Sequence, residues 1–258
     1  MLLDLPPELL LKVTNFLSCK ELTCLRSVSR LLQIYSDAPL NWKSIHLQPS
    51  KSSWQLKELR HIIEPHKAHI KAIRIEGVRD NVVQYILTHC YKLKHLVVCG
   101  WLTLSDHSLR LGPDQSLDLQ SIQIIGKANS TLLVDASTLA RFIKQSPRLD
   151  NLVFGCQAHV HAETFISELE KIHTSRFPRT LRSVTLATKQ TWNKDHVARL
   201  VDLYPTLEHI KLIPEASRGF KDLESFRRWF EQLNSMRLGH SFVSNKNLIM
   251  YNKSVCMS

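Results

Sequence analysis

The chain has 258 residues, 43% of them hydrophobic and 22% charged. That is enough apolar content for a large continuous core and argues against a disordered polypeptide. The net charge of +11 is unevenly placed, since residues 1–50 carry +1 and the remaining +10 falls on the rest of the chain.

The first 47 residues form a unit too small to be stable alone, so its apolar faces must be shared between a partner and the rest of the chain. Pro6 and Pro7 fix φ near the helical value and lack N–H groups that a helix start leaves unpaired anyway, so LPPELLLKVTNFL is predicted to start its helix there. Leu9, Leu10, Val13, Phe16 and Leu17 make a wide apolar stripe, with Leu11 set to one side. Ser18 breaks the pattern and can cap a second helix, KELTCLRSVSRLLQIY, which presents Leu22, Leu25, Val28, Leu32 and Tyr35 and leaves Lys20, Arg26 and Arg30 on the wet side. A helical hairpin is expected.

From residue 54 onward an apolar triplet of the form L-x-x-L-x-L recurs six times: Ile70-Ile73-Ile75, Leu93-Leu96-Val98, Leu119-Ile122-Ile124, Leu149-Leu152-Phe154, Leu181-Val184-Leu186 and Leu207-Ile210-Leu212. The last two residues of each alternate as a short strand requires, and the first sits at the turn into it. Helix-like stretches lie between: NVVQYILTHC, ASTLARFIKQS, HAETFISELEKIHT and KDHVARLVDLY. HCYKL, QSPRL and LYPTL deliver the chain into the next strand, with Pro147 and Pro205 stopping two of the helices. After the last triplet, FKDLESFRRWFEQLNSMR and SFVSNKNLIMYN read as a helix and a strand that close the open end.

Two sequence motifs carry a resemblance. LPPELL at 5–10, Phe16-Leu17, Leu22, VSR at 28–30 and Trp42 before Ile45 and Leu47 resemble the F-box, while the triplet period, somewhat stretched and irregular, is that of leucine-rich repeats. The chain thus resembles F-box proteins with C-terminal leucine-rich repeats. The resemblance implies an α/β fold: a helical F-box at 1–47, then, at 54–258, an irregular horseshoe solenoid with parallel strands on its concave face and a C-terminal cap. It also implies that the F-box binds a Skp-family adaptor, and through it a cullin and RING ubiquitin ligase. Leu5, Pro6, Leu9, Leu10, Val13, Phe16, Leu22, Leu25 and Val28 would supply the adaptor surface and the packing beneath it, two sets that sequence does not separate. The repeats would hold a protein substrate for ubiquitination and the chain itself would do no chemistry.

In a horseshoe the residue between the two buried strand positions points to the concave face, which names Arg74, Val97, Gln123, Val153, Thr185 and Lys211 as the substrate row. The row two positions on, Glu76, Cys99, Ile125, Gly155, Ala187 and Ile213, is mostly small or apolar, and suits either an amphipathic peptide with acidic ends or cover by the protein's own loops or tail. From Lys171 to Lys194 the cations Lys171, Arg176, Arg179, Arg182, Lys189 and Lys194 occur with no acid between them. They serve an acidic or phosphorylated partner or form a solvated face. The pI near 9.5 leaves open a nucleic-acid-binding repeat protein, but only Phe177 and Trp192 offer stacking platforms in that stretch. An adaptor-bound scaffold without ligase activity is a further alternative.

No cofactor, metal or catalytic centre is expected. The chain has no G-x-S-x-G, HExxH, P-loop or dinucleotide fingerprint, and Cys156, His159 and His161 lack a fourth ligand at a finger-like spacing. Six cysteines without a CxxC point to reduced thiols in the cytosol or nucleus. No run approaches the roughly 18 apolar residues of a membrane span, and Asp4 with the prolines interrupts any signal-peptide core.

Overall fold

The computed structural model describes residues 5–49, 53–101, 103–126, 131–158, 160–172, 180–188, 192–212, 243–245 and 248–252. The first helix, α1, runs Pro7–Asn15 with Pro6 at its N-cap, as the prolines predict. The predicted second helix is two: α2, Cys19–Arg26, and α3, Arg30–Ser36. The break has a local cause. Ser29 is extended, with φ −158° and ψ 159°, and its hydroxyl accepts the Leu32 amide, so VSR ends one helix and caps the next. Ser18 and Glu21 form a reciprocal capping box on α2, satisfying two amides that the helix start leaves unpaired.

The chain then enters β1, Ser44–Leu47, and α4, Leu56–Ile63, neither foreseen as an element of its own. The elements that follow alternate: β2 Ala72–Glu76, α5 Asp80–His89, β3 His95–Cys99, β4 Thr103–Ser105, α6 Asp106–Leu109, β5 Ser121–Ile125, β6 Thr131–Leu133, α7 Ala136–Lys144, β7 Asn151–Ala158, α8 Ala162–Ile172, β8 Ser183–Thr188, α9 Lys194–Leu203 and β9 His209–Leu212. Two short strands close the series, β10 Val243–Asn245 and β11 Leu248–Asn252. One sheet takes nine of them in the order β1-β2-β3-β5-β7-β8-β9-β11-β10, parallel from β1 to β9 and antiparallel at β11 and β10, while β4 pairs with β6 and β6 with β7 beside that path. A strand closing the open end was expected, and β11 on β9 is that strand; the stretch FKDLESFRRWFEQLNSMR lies outside the described residues.

The register shows why the triplets recur. Ile73 pairs with Leu96, Leu96 with Ile122, Ile122 with Leu152, Leu152 with Val184 and Val184 with Ile210, so equivalent triplet positions stand side by side across the sheet. Every residue of the six triplets is at most 4% exposed. At each strand entry one carbonyl accepts two amides of the next strand. Lys43 takes Lys71 and Ala72, Lys71 takes Lys94 and His95, Lys94 takes Gln120 and Ser121, and the pattern continues through Gln120, Asp150 and Arg182. The turns into the strands repeat as well: Leu93 N donates to Cys90 O, Leu149 N to Ser146 O and Leu207 N to Tyr204 O, at 2.9–3.0 Å. These are the three segments HCYKL, QSPRL and LYPTL. Gly77 and Gly100, just past β2 and β3, have φ of 66° and 68°, the left-handed region that favours glycine.

The helices pack on one face of the sheet and on one another. The resulting core is continuous from Cys19, Leu22 and Trp42 to Ile210 and Leu212, so α2 and Trp42 share one apolar mass with the repeats. Three features join them. β1 pairs in parallel with β2, Ile45 opposite Ile73 and Leu47 opposite Ile75. Trp42 stacks on His66 with ring centroids 3.6 Å apart and planes 8° from parallel, while its indole N–H donates to Ser36 O at 2.7 Å. Arg26 pairs with Asp37 at 2.8 Å, and Asp37 lies 3.6 Å from His66. Burial is the main reason that the His66 imidazolium is pushed down to about 4; Asp37 opposes the shift, and Arg26 and His69 add to it.

Candidate functional site

Side chains on α1 and α3 divide cleanly into two faces. Leu10 and Thr14, one helical turn apart, are buried, and so are Leu22 on α2 and Leu32 and Ser36 on α3. Leu9, Val13 and Phe16 follow the adjoining stripe of α1 and point outward, and Phe16 is 90% exposed. Val28 at 69% and Ile34 at 68% are exposed as well, with Leu11, Leu31 and Leu40. Single exposed apolar residues need no explanation, but eight of them occur within residues 9–40, on α1, on α3 and in the turns beside them.

The predicted adaptor residues therefore separate. Pro6, Leu9, Val13, Phe16 and Val28 are on the outside, and Leu5 and Leu25 are half-buried. Leu10 and Leu22, at 3% and 1% exposure, fall in the packing beneath and hold the helices together. Sequence reasoning missed Leu11, Leu31, Ile34 and Leu40. Leu31 and Leu32 lie about 100° apart on α3, and the structure buries Leu32 and leaves Leu31 outside.

The second candidate surface is the sheet face away from the helices. Arg74, Val97, Gln123, Val153, Thr185 and Lys211 stand in one register row, continued by His46 on β1. Only part of the row is open. Arg74, Val97 and Gln123 are half-buried and His46 is exposed, whereas Val153 and Thr185 are 1% exposed and Lys211 7%. In the next row Cys99, Ile125 and Gly155 are buried too. The expectation that Val153, Thr185 and Lys211 present themselves to a partner is thus corrected. On β7–β9 this face is closed, and burial lowers the Lys211 pKa from the ordinary lysine range. At the open end Glu76 takes His46 Nε2 at 3.3 Å and Arg74 at 3.5 Å on one carboxylate oxygen, and Arg74 Nε has no hydrogen-bond partner among the described residues.

Of the basic stretch, Arg176, Arg179 and Lys189 lie outside the described residues, Lys171 pairs with Glu168 at 2.7 Å, and Arg182 and Lys194 are exposed. His159 and the Cys156 side chain are likewise undescribed, while His161 Nδ1 lies 3.3 Å from the Thr164 hydroxyl. Among the described residues no cluster of three His, Cys, Asp or Glu could hold a metal, and no helix is long and apolar enough to cross a membrane.

No curated protein matches the chain. Residues 2–48 match the F-box-like family model, a segment that contains α1, α2, α3, Trp42 and β1. The N-terminal unit, with its divided apolar faces, is an F-box-like domain.

Proposed function

We propose that the chain is the substrate-recognition subunit of a Skp–cullin–F-box ubiquitin ligase. F-box domains bind Skp-type adaptors, and the observation that carries the reading is the exposure of the apolar side chains Phe16, Val28 and Ile34 within the F-box-like segment. Leu22 and Trp42 join the core beneath the sheet's helices and give the segment a fixed support. The strand–helix units are read as leucine-rich repeats, and the open part of the far sheet face, from His46 to Gln123, as the place where a protein substrate is held. The chain then contributes proximity: keeping a substrate lysine near the charged ubiquitin-conjugating enzyme raises the effective concentration of the attacking amine. Such work places the protein in the cytosol or nucleus.

The test is a reconstitution. Purified full chain mixed with purified Skp-family adaptor should co-elute and recruit the cullin, and Phe16→Asp with Val28→Asp should abolish both without loss of folded signal. An adaptor that does not bind the wild type, or binds the double variant equally, removes the reading.

A further inference from the structure

Between α2, the end of β1 and α4 lies an open groove of about 550 Å³. That volume falls in the range of ligand sites. The half-buried Trp54 and Ile62 contribute apolar wall, and Lys20, Lys57 and His61 stand exposed around it. Glu58 is the acid of the lining, and it accepts the Gln55 amide at the start of α4. Neither Lys20 nor Lys57 has an ion-pair partner among the described residues, and the Trp54 indole N–H is buried without an acceptor. None of the exposed F-box residues Phe16, Val28 and Ile34 lines this groove, so it stands independently of the adaptor reading.

The lining offers a ligand side chains of both kinds, Trp54 and Ile62 for an apolar group and Lys20 and Lys57 for negative charge. An open trough of this kind fits an extended chain, with both ends free to continue into solvent, better than a compact molecule that needs enclosure.

We propose that the groove between α2 and α4 binds an acidic peptide segment of a partner protein, anchored by one large apolar side chain flanked by carboxylates. The apolar side chain supplies affinity and the two lysines select against basic sequences and speed encounter.

Cys24 on the wall provides the readout, since it is exposed while Cys19 on the same wall is buried. The full chain is incubated with capped hexapeptides in which one Leu, Phe or Trp is flanked by Asp and Glu. Matched sets replace the acids by Lys or the apolar residue by Ser. The rate of Cys24 alkylation by iodoacetamide is followed by mass spectrometry. The acidic–apolar set is expected to contain peptides that slow alkylation at least fivefold, and the matched sets none. Lys20→Glu with Lys57→Glu should remove the protection. Both positions lie in the first turn of a helix, where a carboxylate is compatible with folding. Unchanged alkylation across the acidic–apolar set, equal protection by the Lys-flanked set, or protection that survives the double charge reversal overturns the proposal.

Discussion

Truncating Phe16 to alanine should separate binding from folding. The side chain is 90% exposed, so the free protein has little packing to lose and its stability should shift by less than about 0.5 kcal/mol. Burying a phenylalanine against a partner is worth roughly 1.5–3 kcal/mol, so adaptor affinity should fall by about 2 kcal/mol, close to thirtyfold in Kd. Leu22→Ala must do the reverse at first hand: at 1% exposure the residue is core, and its loss should cost about 2–5 kcal/mol of stability. Titration calorimetry against purified adaptor and urea unfolding of the free chain measure the two quantities on the same preparations. If Phe16→Ala lowers the urea midpoint as Leu22→Ala does, the side chain is covered in the free protein. If it leaves Kd unchanged, the outward apolar surface is not where the adaptor sits.

Leu5→Ala with Pro6→Ala should weaken adaptor binding by at least about 2 kcal/mol, measured by the same calorimetry, and an unchanged Kd would count against an interface that reaches the start of α1. In the sheet, Leu152→Ala should cost about 2–5 kcal/mol and Gln123→Ala almost nothing in thermal melts; equal effects would contradict the register. Val153→Asp should also unfold the neighbouring repeats, because its face of the sheet is closed there, and a variant with wild-type Tm would show that face to be open. His66 gives a pH dependence. Its folded pKa of about 4 lies below the ordinary 6.5, so the unfolded chain binds more protons between those values. Its contribution is fully present above about pH 6.5 and is lost as pH falls through 4, on the order of 3 kcal/mol. Urea midpoints taken from pH 7 to 4.5 should fall in the wild type and fall less in His66→Phe.

Periodicity made most of the repeat part legible, because each triplet fixes both a strand and the turn before it, and register then follows from matching buried residues. The row Arg74 to Lys211 could be named for the same reason: alternation along a strand decides which face a residue takes. Its exposure could not be named, because whether a sheet face is covered depends on segments distant in sequence. The break at Ser27–Ser29 was hidden by an apolar pattern that continues through it, where a capping serine overrides the period. On α1 the stripe was recognised, but its width covers both an inward and an outward face, and only the packing of Leu10 and Thr14 divides them. β1 escaped notice because SIHL is too short to stand out, and its identity as a strand comes from β2 beside it.

That pairing bears on how the protein can be taken apart. Cutting after residue 47 would strip the sheet of its first strand and leave the β2 amides and carbonyls on that side without partners, next to apolar positions formerly sealed by Ile45, Leu47 and Trp42. A bare, flat edge of this kind recruits other chains, so the shortened protein would self-associate and its losses in any capture assay would reflect stickiness rather than a missing docking module. Separate production of the two parts is therefore a poor control for either, and a dissection of their roles has to proceed by surface point variants in the intact chain.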